Sequence, residues 1–168
     1  MAYRLNALRG SCITARDGPA GLLNDVLFEQ DTLAPHYVAI DQGDRFPGRR
    51  VLVPAARVAL DPSAGMRVDL TREQLRRCIS ADKHARLVSG RALWGYRIEA
   101  SGRPIGHADD LLLNGDWSVA GLVAATRDWL LPGRKLEIAA SAIVARDAAR
   151  RTLRVDLRLE PRVQHTGR

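Results

Sequence analysis

The sequence predicts an all-β chain: two small β-barrels in tandem, with a short helix between them. Three observations predict it. Apolar and polar residues alternate over short runs, turn dipeptides punctuate those runs, and the whole pattern recurs about 85 residues later. The 168 residues suffice for two domains of roughly 80 residues each. With 46% hydrophobic and 27% charged residues the composition is that of a globular domain, and with only 5% aromatics the core must be built from Ala, Val, Leu and Ile.

In the first half, Asp17-Gly18 separates the apolar-alternating runs 13–16 and 21–28, a hairpin signal. Pro47-Gly48 punctuates before a strand at 50–54, and residues 66–70 alternate strictly. Thr71-Arg72-Glu73-Gln74 has the form of a capping box, with Leu70 and Leu75 as its hydrophobic staple. A helix from Arg72 to about Ile79 follows, and residues 80–84 link to the second half. There, Ser101-Gly102 separates runs 93–100 and 104–113, and Asn114-Gly115 predicts a type I′ turn joining 110–113 to 117–125. Pro132-Gly133 precedes a strand at 135–139. In 152–159, Leu153, Val155, Leu157 and Leu159 face one way and Arg154, Asp156 and Arg158 the other.

The halves align in collinear blocks. A shift of 84 places Gly18, Asp25 and Leu27 on Gly102, Asp109 and Leu111. A shift of 85 places Phe46-Pro47-Gly48-Arg49-Arg50-Val51 on Leu131-Pro132-Gly133-Arg134-Lys135-Leu136, and 87 places Arg67-Val68-Asp69-Leu70 on Arg154-Val155-Asp156-Leu157. This is a tandem duplication: domain one at 1–80, domain two at 85–163, and a frayed tail at 164–168.

Net charge is +7, with 24 of the 26 basic residues arginine, and most of it lies in residues 81–168. A basic chain is compatible with nucleic acid, yet these residues mostly alternate with apolar ones, the pattern of solvated strand faces. No apolar run approaches the ~20 residues of a membrane span, and residues 1–18 hold no secretory apolar stretch. Cys12 and Cys78 lack CxxC spacing, which fits a cytoplasmic protein with reduced thiols.

Signals for catalysis are weak. Asp109, Asp110, Asn114 and Asp116 crowd one hairpin without EF-hand spacing, and consecutive strand residues point to opposite faces. The recurring aspartate reads as an acceptor for turn amides. His36, His84, His107 and His165 are scattered, and no GxSxG elbow, Walker loop or dinucleotide fingerprint is present. The sequence therefore predicts no enzyme, no metal and no cofactor.

The blocks Trp94-Gly95-Tyr96-Arg97-Ile98-Glu99-Ala100, Gly102-Arg103-Pro104-Ile105-Gly106-His107-Ala108-Asp109-Asp110, Trp117-Ser118-Val119, Leu122-Val123 and Thr126-Arg127-Asp128-Trp129-Leu130-Leu131-Pro132-Gly133-Arg134-Lys135 resemble the pattern of bacterial stand-alone tandem PRC-barrel proteins. In the first half the resemblance rests mainly on the repeat; that half lacks tryptophan and has Gly21-Leu22 where the second has Ile105-Gly106. PRC barrels occur in the photosynthetic reaction centre H subunit and in a ribosome maturation factor, where they bind other macromolecules and do no chemistry. The resemblance implies a non-enzymatic adaptor or assembly module whose partner is another protein or complex, with homodimerisation open to it. The alternative is an RNA- or ribosome-associated factor using a basic face of the second barrel. Candidate partner-binding residues are the paired basic corners Arg49-Arg50 and Arg134-Lys135, and Trp129 from the set Trp94, Trp117 and Trp129.

Overall fold

The structure, a computed structural model, describes residues 1–43, 48–61, 63–80, 86–126 and 134–158. The chain forms two compact units, one of Met1–Arg91 with Leu113–Ser118, the other of Ala92–Leu112 with Val119–Arg168. It opens with β1 (Tyr3–Arg4) and a single turn of helix, α1 (Leu5–Leu8).

In the first unit follow β2 (Cys12–Ala15), β3 (Gly18–Glu29), β4 (Pro35–Asp41) and β5 (Arg50–Pro54). After a 3-10 turn at Ala55–Arg57 come β6 (Val58–Asp61), β7 (Gly65–Val68), α2 (Arg72–Arg76), β8 (Ile79–Ser80) and β9 (Leu87–Ser89). The strand order is β6-β7-β2-β3-β4-β5-β8, with β9 also on β3. Inward positions Ile13, Leu23, Val26, Phe28, Val38, Ile40 and Val51 are closed to solvent, as period-two alternation requires.

The second unit repeats this. After a 3-10 turn at Gly90–Leu93 come β10 (Arg97–Ala100), β11 (Arg103–Leu113), β12 (Val119–Thr126) and β13 (Lys135–Ala139). A 3-10 turn at Ala140–Ala142, β14 (Ile143–Asp147) and β15 (Thr152–Val155) complete it. Its order, β14-β15-β10-β11-β12-β13, matches β6-β7-β2-β3-β4-β5 strand for strand. Among the described residues neither path returns to its first strand, so the chain is all-β in two sheets that are open by hydrogen bonding.

Two details tie the copies together. Each first hairpin carries a bulge at the same place, after Ile13 and after Ile98, with Gly21 and Gly106 as the facing residues. At those glycines the next strand lies so close that a Cβ would stand 2.2 Å from the Asp41 carbonyl oxygen and 2.3 Å from that of Ala125. The equivalent of Gly21 is thus Gly106, a shift of 85 rather than 84. The same register moves the recurring aspartate. Asp25 and Asp110, not Asp109, are the buried pair, and each accepts the N–H of the following residue, Val26 or Leu111, at 2.8 and 2.9 Å.

Other local expectations shift for physical reasons. The first turn consists of Arg16-Asp17, with Gly18 opening β3. Asn114-Gly115 is not a type I′ turn. The loop is longer, closes through Asn114 N–H to the Ser118 carbonyl at 2.9 Å, and places its positive φ (+70°) at Trp117. Segment 93–100 is strand only from Arg97, because Leu93 ends a 3-10 turn and Gly95 has φ +77°. The capping box forms in both directions, Thr71 Oγ1 accepting from Gln74 N–H at 3.2 Å and Gln74 Oε1 from Thr71 N–H at 2.8 Å. The helix ends at Arg76, since Ile79 and Ser80 leave it to pair with Leu52 and Val51. β15 stops at Val155. The expected linker (beyond Ser80), Leu159 and the tail 164–168 lie outside the described residues.

Candidate binding cleft

On the first unit, α2 and the β2–β3 hairpin enclose a cleft of about 450 Å³, within the range of small-ligand sites. β2 and β3 point alternate side chains outward, and the register sets Cys12 opposite Leu22. Leu22 is 41% exposed, unusual for a large apolar side chain, and Leu75 from α2 is fully buried at the cleft. Ile13, Pro19 and Ala20 continue the apolar wall, while Thr14, Gln42 and Gly43 just after β4, with Arg72 and Arg76 of α2, supply polar groups.

Arg72 is held by its own helix start. Asp17 Oδ1 accepts its backbone N–H at 2.8 Å, and Asp17 Oδ2 lies 3.9 Å from its Nε. The guanidinium lies 3.8 Å from where a Gly18 Cβ would stand, so the hairpin leaves it room. Its Nε and the Gln42 Oε1 are both shut off from solvent, and neither atom makes a hydrogen bond. A buried donor or acceptor in that state costs about 1–3 kcal/mol. Both atoms belong to residues that line the cleft, and both lie beneath its surface, closed to solvent.

The outward face of the corresponding hairpin in the second unit carries different chemistry among the described residues. Where the first has Cys12, Thr14 and Leu22, the second has Arg97, Glu99 and His107. Arg97 Nε and Glu99 Oε1 form an ion pair at 3.3 Å across that outward face.

Of the residues expected to contact a partner, Arg49 is half-buried and its guanidinium donates to the Arg76 carbonyl, so it holds the end of α2. Arg50 is exposed at the start of β5. In the second unit Arg134 is exposed, its carbonyl accepting from the Thr126 N–H and Oγ1 at 3.1 and 3.0 Å. Lys135 Nζ pairs with Asp109 Oδ2 at 2.8 Å. Trp129 lies outside the described residues. Trp117 is a core residue of the first unit, fully buried, its Nε1–H donating to the Val58 carbonyl at 2.6 Å; Trp94 is half-buried.

Sequence reasoning passed over Leu22, Gln42 and Arg72. The one signal for them is Leu22-Leu23, where two adjacent leucines break the alternation of β3 and one must face out.

Among the titratable groups, burial pushes the Asp25 carboxyl above the ordinary range, against hydrogen bonds from Val26 and Arg91 and the Arg9 charge. Burial also raises the Cys78 thiol, opposite to what a reactive thiolate needs. Cys12 is exposed. Among the described residues no three His, Cys, Asp or Glu side chains gather as metal ligands, and no helix is long and apolar enough to cross a membrane. No family model matches the chain, and no curated protein matches it in sequence.

Proposed function

We propose that this chain is a non-enzymatic protein-interaction or assembly module of the PRC-barrel type, each sheet curling into a small barrel, and that it acts in the cytoplasm on another protein. The observation that carries this reading is the cleft on the first unit, where an apolar wall with an exposed leucine meets an arginine-bearing rim. Surfaces that combine an exposed apolar anchor with adjacent arginine are those at which protein partners dock. Support for the barrel comes from the shared strand order and from the 3-10 turns Ala55–Arg57 and Ala140–Ala142, which bend the chain between equivalent strands. The resemblance of 94–135 to tandem PRC-barrel proteins points the same way.

The test is a pull-down from native lysate with the full chain and with Leu22→Glu, washed at low and then moderate salt. A discrete protein that survives the second wash on the parent chain and is lost on Leu22→Glu is the expected result. RNA or ribosomal material that leaves with salt, and leaves equally from both, overturns the reading in favour of phosphate-driven binding. In that case Arg134→Glu with Lys135→Glu abolishes retention.

A further inference from the structure

Three asparagines occur in the chain, Asn6, Asn24 and Asn114, and only Asn114 is followed by glycine. An asparagine amide can be attacked by the backbone nitrogen of the next residue. The step is fastest when that residue is glycine, whose missing Cβ lets the backbone swing into line. The loop between β11 and β12 leaves this attack open. Asn114 and Gly115 are both exposed, and among the described residues the Gly115 N–H makes no hydrogen bond. A Cβ placed on Gly115 would meet only the Leu60 carbonyl oxygen, at 3.8 Å. The other positions are held back. Asn24 is half-buried in β3 beside the buried Asp25, and Asn6 stands in α1 before Ala7, which carries a Cβ. Asp17-Gly18 presents a carboxylate, a poorer target for a nucleophile than an amide. Its oxygens already face the Arg72 backbone N–H at 2.8 Å and Nε at 3.9 Å.

We propose that Asn114 is a site of spontaneous deamidation and isomerisation, and that the change loosens the first unit. The Gly115 nitrogen bonds to Asn114 Cγ while the Cγ–Nδ2 bond breaks. The proton from Gly115 leaves with the amide nitrogen as ammonia, and a cyclic imide remains. One solvent water then opens the imide. Cleavage at Cγ gives aspartate; cleavage at the main-chain carbonyl gives isoaspartate, whose backbone runs through Cβ and Cγ and is one atom longer.

The loop has no slack for either product. Ser118 Oγ accepts from Asn114 Nδ2 at 2.9 Å and gives its single hydrogen to Asp116 Oδ1 at 2.6 Å. After deamidation the hydroxyl stands between two carboxylates with one hydrogen to share. Ser118, by its hydroxyl and then its N–H, holds the Asp116 carboxyl below its ordinary range, so the two meet as like charges. The extra backbone atom of isoaspartate falls inside the ring closed by Asn114 N–H and the Ser118 carbonyl at 2.9 Å. The Asn114 carbonyl, which accepts from Trp117 N–H at 3.0 Å, becomes the free carboxylate. This ring seats Trp117, whose indole donates to the Val58 carbonyl in the core of the same unit.

The experiment is incubation of the full, folded chain in mildly alkaline buffer at physiological temperature, followed by peptide mapping by mass spectrometry with chromatographic separation of isoaspartate. The peptide holding Asn114-Gly115 is expected to exchange an amide for a carboxyl well before those holding Asn6 and Asn24, with isoaspartate the larger product. Gly115→Ala should slow the change at least ~tenfold, since a Cβ restricts the swing of the backbone. That variant should fold as the parent does, because Gly115 has no positive φ and open space around its Cβ position. The isoaspartate form, separated from the parent, should unfold at a lower urea concentration and lose hydrogen-exchange protection in β6. Asn114→Asp, which supplies the carboxylate without lengthening the backbone, should fall between the two. Modification no faster at Asn114 than at Asn6 or Asn24, modification only once the chain is unfolded in urea, an unchanged rate in Gly115→Ala, or an isoaspartate form as stable as the parent each overturns the proposal.

Discussion

Replacing Gly21 by alanine places a Cβ 2.2 Å from the Asp41 carbonyl oxygen, where real Cβ contacts stay beyond 3.0 Å. β3 and β4 must therefore separate by roughly 0.8 Å at that point, at the end of an antiparallel pair whose last partners are Leu22 and Asp41 and whose spacing is fixed by its hydrogen bonds. Overpacking of this kind costs about 1–3 kcal/mol. Gly21 also has φ +139°, a conformation that costs a residue with a Cβ a further ~1–3 kcal/mol. The sum is about 2–6 kcal/mol for Gly21→Ala, a large share of the stability of an ordinary domain. Gly106→Ala meets the Ala125 oxygen at 2.3 Å and carries only the packing cost, about 1–3 kcal/mol. Gly102 is the control: its φ is +75° but nothing lies within 4 Å of its Cβ position, so alanine there should cost about 1–2 kcal/mol. Urea unfolding followed by far-UV circular dichroism measures all three, and amide hydrogen exchange localises the loss to the strands flanking each glycine. The reasoning is refuted if Gly21→Ala costs no more than Gly102→Ala, or if Gly106→Ala is neutral.

Two further outcomes follow from buried polar groups. Trp117→Phe removes the Nε1 donor and leaves the buried Val58 carbonyl without that partner. We expect a loss of about 2–4 kcal/mol in urea unfolding, and a loss below 1 would mean that water replaces the indole without cost. Asp25 has its carboxyl raised by burial, so the proton is held more tightly in the folded state than in the unfolded chain. Its contribution is fully present below the unfolded value of 3.8 and is lost as pH rises through the folded one. Glu29, Asp61 and Asp116 have lowered carboxyls and act in the opposite sense, losing stability as pH falls. The test is therefore a difference: the stability of the parent chain minus that of Asp25→Asn should grow as pH falls from 7 toward 4, and a flat or inverted difference would contradict the buried-carboxyl account.

Strands announced themselves in the sequence where one face is buried. β7 (Gly65–Val68) overlaps 66–70, where the alternation places a strand, and β5 and β13 lie at 50–54 and 135–139, as the Pro-Gly signals place them. The capping box was legible because its two bonds are local. β4 was not, since its pattern Pro35–Asp41 mixes polar and apolar residues and its partners on both sides are set by tertiary pairing. The register of the duplication was off by one around Asp25 because side-chain identity favoured Asp109, while burial chose Asp110, whose neighbour instead reaches Lys135. The cleft was the least legible feature. Gln42 and Arg72 come together only through the fold, and each taken singly in the sequence is an ordinary surface residue.

The way the chain is shared out has a practical consequence for anyone who would take the protein apart. The first sheet includes Leu87–Ser89, and its buried Asp25 accepts the backbone N–H of Arg91 at 3.2 Å. The core indole of the same unit arrives from Leu113–Ser118. A cut at the boundary suggested by the repeat, near residue 80, would strip a strand, a hydrogen bond to a buried carboxyl and a tryptophan from the first unit at once. No single cleavage point yields a whole first unit, so its isolated expression calls for a redesigned or circularly permuted gene rather than a shorter one.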